Sequence, residues 1–167
     1  VLSLHGSLIK QLRELFPDRV WYPWLFDNSP DWLLDDTEIE LYFEWLSKKL
    51  KISSADEWYG ITQKVFAEHY GYGLLSRRFK SSPLLLLEYF MPHIDWQFWR
   101  FPKVRNRWKI LINQRKYIDW LGNELGIANP VDWYNVTEQD FADNYGITLL
   151  QKYYSSNIAD CIMTILK

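Results

Sequence analysis

The chain has 167 residues, a formal net charge of −2 and a hydrophobic fraction of 48%. This length corresponds to one domain or two small ones, and such a hydrophobic fraction excludes a disordered chain. A single cysteine, Cys161, excludes a disulfide framework and a cysteine-rich zinc site. The longest aliphatic run, Leu84 to Leu87, is far too short to cross a bilayer, so we expect no membrane partner.

The sequence repeats itself after 75 positions. Residues 41–91 and 116–166 share 15 identities in 51 positions without a gap, mostly at large hydrophobic residues. We therefore predict two tandem repeats of about 75 residues, at 17–91 and 92–167, and interpret residues 1–16 as the C-terminal helix of a preceding repeat. This register indicates a piece of a larger multi-repeat protein.

An irregular connector rich in aromatic rings begins each unit. Its three repeated rings are Trp21, Trp24 and Phe26 in the first unit, and Trp96, Trp99 and Phe101 in the second. Burial of one ring contributes roughly 1.5–3 kcal/mol, so three rings can hold such a segment against helices. We favour this structural role over a ligand-binding cage.

The first helix of each unit is predicted at about residues 37–51 and again at about 113–125. Thr37 begins a capping-box pattern, with Glu40 three residues later, and an apolar stripe at helical spacing follows. Gly126 stands where a C-terminal cap belongs in the second copy.

Two further helices complete each unit. The second is predicted from Thr62 to Gly71, and the third from Leu74 to about Met91 with a break near residues 81–83, where Pro83 favours a fresh start. The second copy repeats both, and no run alternates with period two for long enough to require a strand. We therefore predict an all-α fold of two three-helix repeats joined by Trp-rich connectors.

Patterns that mark enzymes are missing from the sequence. It has no nucleophile elbow, no H-E-x-x-H pair and no glycine-rich phosphate loop. The three histidines occupy different positions of the repeat, which argues against a metal site. We expect no enzymatic activity, no catalytic residue, no metal and no cofactor.

Basic residues are concentrated in two places. Residues 100–116 carry seven basic and no acidic side chains, and a smaller group lies on the third helix of the first unit. Such clusters suit phosphate backbones, although a charged run is often only a solvated face. The candidate nucleic-acid-binding residues are Arg77, Arg78, Lys80, Arg100, Lys103, Arg105, Arg107, Lys109 and Lys152.

The stretch Gly73 to Ser81, with Arg77-Arg78-Phe79 at its centre, resembles the helical repeats found beside many HNH homing endonucleases. That resemblance implies a helix-turn-helix-like unit in which Arg77, Arg78 and Ser76 face DNA. It covers about ten residues per unit, and the second copy has Gln151-Lys152-Tyr153 at the matching positions. The whole unit is also similar to Trp-rich tandem repeats of uncharacterised eukaryotic proteins.

Two functions follow as hypotheses. The first is a non-enzymatic repeat module that binds DNA or RNA, with arginines holding phosphates. The alternative is a protein-interaction scaffold, which predicts an exposed apolar groove. An unpaired cysteine indicates a reducing interior, so we expect the nucleus or cytoplasm, or an organelle after import.

Overall fold

The computed structural model describes residues 8–26, 30–102, 104 and 106–167. Every regular element in these ranges is a helix, and they contain no strand, which confirms the all-α prediction. The chain divides into two compact units, the first ending at Asp95 and the second running from Trp96 to Lys167. We call them unit 1 and unit 2.

Both units consist of short helices. The α-helices of unit 1 are α1 (Leu8–Leu15), α2 (Asp36–Leu50), α3 (Gln63–Glu68), α4 (Tyr72–Arg78) and α5 (Pro83–Phe90). Those of unit 2 are α6 (Leu111–Glu124), α7 (Glu138–Asp143), α8 (Ile147–Tyr154) and α9 (Ile158–Ile165). The described 3-10 helices are Pro23–Leu25, Pro30–Leu34, Ala55–Gly60, Phe98–Arg100, Arg107–Lys109 and Pro130–Asn135.

Equivalent elements of the two units begin 75 residues apart. The starts of α2 and α6 (36 and 111), α3 and α7 (63 and 138), α4 and α8 (72 and 147), and α5 and α9 (83 and 158) all differ by 75. Helix α1 begins 75 residues before α5 in the same way. This spacing favours the two-repeat interpretation, which we retain as a proposal.

The prediction of a single third helix in each unit was wrong. The break predicted near residues 81–83 separates two helices, α4 and α5. Lys80 and Ser81 have φ values of 49° and 58° between α4 and α5, and Ser155 and Ser156 have 48° and 62° at the matching positions. Residues in the left-handed region cannot continue an α-helix. The Ser82 side chain then accepts from the Leu85 N–H and starts α5.

The predicted first helices differ from the observed ones at their N-termini. Asp35, not Thr37, caps α2, because its carboxylate accepts from the backbone N–H groups of Thr37 and Glu38 at 2.9 and 3.4 Å. Helix α6 begins at Leu111 rather than at Asn113, whose amide donates to the Arg107 carbonyl at 3.0 Å. Asp35 thus lies just outside the capping motif that the sequence suggested, whereas Ile110, at the N-cap position of α6, makes no side-chain capping bond.

An aromatic cluster forms the core of each unit and holds its connector in place. In unit 1 the buried Trp24 lies 5.2 Å from Tyr42 and 5.6 Å from Trp45 between ring centroids. In unit 2 the buried Trp99 lies 5.5 Å from Tyr117 and 5.3 Å from Trp120. These contacts support the structural role predicted for the connectors.

Tyr42 and Tyr117 also fix the backbone of the turns that follow α3 and α7. Tyr42 Oη donates to the His69 carbonyl at 2.8 Å, and Tyr117 Oη donates to the Asn144 carbonyl at 3.1 Å. Both rings are fully buried, so these bonds satisfy hydroxyl groups that water does not reach.

Lys51 gives a first prediction, because it ends α2 in the left-handed conformation with φ of 57°, where the equivalent residue of unit 2 is Gly126. Replacing Lys51 with glycine removes the steric cost of that conformation, and we expect unfolding free energy to rise by about 1 kcal/mol. Lys49→Gly, inside α2, is expected to cost about 1 kcal/mol. Urea denaturation compares the two variants. A change of the same sign in both unfolding free energies would show that the left-handed conformation of Lys51 carries no steric cost.

Candidate binding surfaces

Arg78 is held inside unit 1 by contacts that join α4 to α2. Its Nη1 lies 2.7 Å from an Asp36 carboxylate oxygen and donates to the Leu33 carbonyl at 3.3 Å. Tyr89 Oη donates to the other Asp36 oxygen at 2.9 Å. The hydrogen bonds from Arg78 and then Tyr89 hold the pKa of Asp36 below its usual value. The described contacts of Arg78 are thus those of a structural residue.

The neighbouring candidates face solvent. Arg77 and Lys80 are exposed at the end of α4. Ser76 is half-buried, and its hydroxyl donates to the Gly73 carbonyl at 3.4 Å. Arg77 and Lys80 are therefore the two basic side chains of this group that remain accessible to a polyanion. Their role in nucleic-acid binding stays a prediction.

A second prediction separates the adjacent arginines. Arg78→Met removes a charge-assisted hydrogen bond and leaves the Leu33 carbonyl without this donor, so we expect a loss of about 1–2 kcal/mol in unfolding free energy. Arg77→Met is expected to change it by less than about 0.5 kcal/mol, as is usual for an exposed side chain. Thermal and urea denaturation measure both, and equal stabilities would show that the Arg78 contacts contribute nothing.

The candidate residues of unit 2 occupy several different environments. Arg100 and Arg107 are half-buried, whereas Lys109 and Lys152 are exposed. The Lys152 ammonium lies 5.8 Å from the centroid of its neighbour's ring, Tyr153. Lys103 and Arg105 lie outside the described residues.

Gln114 has a structural role in unit 2 that the sequence did not indicate. Its Nε2 donates to the Trp108 carbonyl at 2.6 Å, and its Oε1 accepts from Tyr154 Oη at 2.6 Å. Trp108 lies 75 positions after Leu33, whose carbonyl accepts from Arg78 in unit 1. The two units therefore satisfy the same backbone carbonyl with different side chains, and unit 2 has no need of an arginine at residue 153.

A large apolar groove lies on unit 2, with a volume of about 960 Å³. Side chains of α9, of the 3-10 helix Pro130–Asn135 and of the segment before that helix line it. They are Arg115, Ile127, Ala128, Asn129, Pro130, Val131, Trp133, Tyr134, Val136, Ile158, Ala159, Ile162, Met163, Leu166 and Lys167. No acidic side chain is among these lining residues. The groove is thus apolar, with a cationic or amide group at a few points.

The groove carries exposed apolar side chains where unit 1 has charged ones. Val131 and Met163 are 64% and 61% exposed, and the residues 75 positions earlier are Asp56 and Glu88. Tyr134 is the most exposed of the large hydrophobic residues in the described structure, at 88%. Comparison of the repeats at these positions was the sequence signal that could have found the groove.

Burial of thiol and phenol groups gives a third prediction. Burial raises the pKa of Cys161, on α9, from 9.0 to about 12, and it raises the pKa values of Tyr42 and Tyr117 as well. These groups lose their protons at lower pH in the unfolded chain than in the folded one. Their contribution to stability is intact below about pH 9 and is lost as the pH rises from 9 towards 12.

Urea denaturation at pH 8, 9, 10 and 11 measures this effect, and the midpoint should fall with each step above pH 9. Cys161→Ala removes one titrating group, so its midpoint should fall less steeply over the same range. A midpoint that stays constant from pH 9 to 11 would contradict the prediction.

Within the described ranges, no group of three or more His, Cys, Asp or Glu side chains could hold a metal ion. No helix in those ranges is both long enough and apolar enough to span a membrane. Comparisons of the chain with family models, curated proteins and solved structures found no match. The surfaces themselves are therefore the basis for a functional proposal.

Proposed function

We propose that the protein is a non-enzymatic protein-interaction scaffold, and that the unit 2 groove binds a partner protein. The observation that supports this proposal is the set of exposed apolar residues Val131, Tyr134 and Met163 around one groove. Isolated exposed hydrophobic residues are normal, whereas a contiguous apolar groove is typical of an interaction site.

The replacement of charged residues strengthens this interpretation. Asp56 and Glu88 of unit 1 correspond to Val131 and Met163 of unit 2, so the shared fold does not require apolar residues at these positions. Met163 is 61% exposed, so most of its side chain does not contribute to the core of unit 2. A role in binding a partner accounts for the apolar side chains at these positions. The proposal also places the protein in the nucleus or the cytoplasm.

Site-specific crosslinking tests the scaffold function. A photoreactive benzoylphenylalanine at position 163 should form an adduct with a protein in nuclease-treated extract of the source cells. The same group in place of Ile112, which is 62% exposed and does not line the groove, is the matched control. Adducts at both positions alike, or at neither, would overturn the proposal.

Nucleic-acid binding is the second candidate, and the exposure of Arg77 and Lys80 favours it. Arg78 and Arg115 are engaged with Asp36 and Asp119, and the protein is acidic overall, so fewer cations support this function than the sequence indicated. Any binding is expected to be weak and strongly dependent on salt.

Fluorescence titration with short duplex and single-stranded oligonucleotides at two salt concentrations tests this second function. The Arg77→Glu, Lys80→Glu double variant should abolish binding because it replaces two phosphate-binding cations with carboxylates. Each lost phosphate contact also lowers the slope of the salt dependence by about 1. Lys48→Glu with Lys64→Glu changes the net charge equally at other exposed lysines. No saturable binding at low salt, or equal effects of the two double variants, would exclude the nucleic-acid function.

A further inference from the structure

Helix α9, which lines the groove, is the counterpart of α5 and, one repeat length earlier, of α1. Helices α1 and α9 begin at residues 8 and 158, twice 75 positions apart, and each has eight residues. In this register Ala159 and Met163 correspond to Ile9 and Arg13. The contacts of α1 therefore show what the same face of such a helix can bind.

In unit 1 this face of α1 contacts a tryptophan-bearing segment and a carboxylate. Ile9 is buried, and Arg13 Nη2 donates to the Trp21 carbonyl at 3.2 Å. Arg13 also forms a bidentate ion pair with Glu38, with Nη2 to Oε2 at 3.0 Å. The Phe16 and Trp21 rings lie 6.0 Å apart between centroids. Arg13 thus holds the Glu38 carboxylate and the backbone of Trp21, and the Trp21 ring packs on Phe16 just after α1 ends.

In unit 2 the corresponding face is open. Ala159 and Met163 are exposed along the groove. The charged groups that line it are Arg115 and Lys167, both cationic. Arg115 bonds to Asp119 at 3.0 Å, but its side chain remains 43% exposed. An occupant with ring side chains and carboxylates would match both the apolar floor and these cations.

We propose that the groove binds a segment of another protein that combines aromatic side chains with carboxylates. This inference rests on the proposed scaffold function and names the chemistry of the partner. The chain's own segment of this kind, residues 17–40, contains Trp24, Trp32 and Leu33 buried in unit 1. Because that segment is already packed, a second folded copy cannot supply it, and the occupant that fits is a segment of a different protein.

A labelled peptide with the sequence of residues 17–40 is a suitable probe. It carries three tryptophans and seven carboxylates, and as a peptide it is free to dock. We expect saturable binding to the full chain by fluorescence anisotropy. A peptide with all seven carboxylate residues replaced by lysine should bind at least tenfold more weakly at low salt, and the difference should shrink as salt is raised.

Groove variants locate the binding. Met163→Glu, and independently Ala159→Glu, should weaken peptide binding at least tenfold because each places a carboxylate on the apolar floor. Ile112→Glu introduces the same charge at a position of matching exposure outside the groove and should leave binding unchanged. Circular dichroism confirms that each variant is folded, and the exposure of all three positions favours this.

Several outcomes would overturn the inference. These are absence of peptide binding, equal binding of the lysine peptide, and equal effects of Met163→Glu and Ile112→Glu. Self-association in sedimentation velocity that Met163→Glu abolishes would assign the groove to a second copy instead. If the peptide fails but a protein still crosslinks at position 163 and not at 112, the partner chemistry is wrong and the scaffold function stands.

Discussion

Gly146→Ala is expected to destabilise unit 2 by about 3–5 kcal/mol or to prevent it from folding. A Cβ atom at this position would overlap the hydroxyl and Cζ of Tyr117 and lie 2.8 Å from its Cε1. The Tyr117 ring cannot move aside, because Trp99 and Trp108 pack against it at 5.5 and 5.1 Å. Displacement would also break the hydrogen bond to the Asn144 carbonyl.

Unit 1 allows an independent test of the same prediction. A Cβ at Gly71 would overlap Tyr42 Oη, lie 2.9 Å from Phe66 Cδ1 and lie 3.2 Å from the Phe66 carbonyl oxygen. That backbone oxygen cannot rotate away as a side chain can, so Gly71→Ala is expected to be as severe as Gly146→Ala.

Gly60→Ala is the matched control for both glycine variants. A Cβ at Gly60 would meet no atom within 4 Å, so its effect should stay within about 0.5 kcal/mol. Urea denaturation followed by far-UV circular dichroism compares the three proteins. Gly146→Ala with the stability of Gly60→Ala would show that the turn can relax around a side chain.

These glycines also show where sequence reasoning about the fold reached its limit. The sequence predicted helix starts at Thr62 and Thr137, and the structure places α3 and α7 directly after these residues. It also placed the ends of these helices at the glycines, whereas α3 and α7 end three residues earlier. A threonine cap is a local signal, which a sequence can reveal.

The helix ends depend instead on contacts far apart in sequence. Tyr70 and Tyr145 adopt φ of 65° although they are bulky, and the glycines that follow have negative φ. Each glycine is needed for space, because a tyrosine 29 residues earlier occupies the place of its side chain. Nothing near Gly71 or Gly146 in the sequence indicates this.

Prediction of the candidate sites was limited in the same way, because contacts between residues far apart in sequence decide which side chains stay accessible. Arg77 and Arg78 are adjacent and chemically identical, yet of these two arginines only Arg78 bonds to Asp36, 42 positions away. Charge clustering in the sequence could not distinguish them. The unit 2 groove depends on which residues stay exposed once α9 has packed, a property that composition does not report. Comparison of the repeats at residues 56 and 131 and at residues 88 and 163 was the sequence signal of the groove.

Gln114→Leu is the second large prediction, with an expected loss of about 2–3 kcal/mol in unfolding free energy. The side chain is buried, and the substitution removes its amide from between the Trp108 carbonyl and the Tyr154 hydroxyl. The carbonyl is then left without this donor beside the fully buried Trp108 ring. Urea denaturation measures the loss. Gln151→Leu, an exposed glutamine that donates to Glu138 at 2.8 Å, should cost less than about 0.5 kcal/mol.

A double-mutant cycle with Tyr154→Phe tests the network itself. Tyr154→Phe alone should cost about 1 kcal/mol, because it leaves Gln114 Oε1 without its donor. In the Gln114→Leu background that acceptor no longer exists, so the second substitution should cost nothing further, which gives a coupling of about 1 kcal/mol. The double variant also restores an apolar pair like the one unit 1 has at these positions, Ile39 and Phe79, both buried. Additive losses would mean that the glutamine and the tyrosine contribute to stability separately. The polar pair of unit 2 would then not be a replacement for the apolar pair of unit 1.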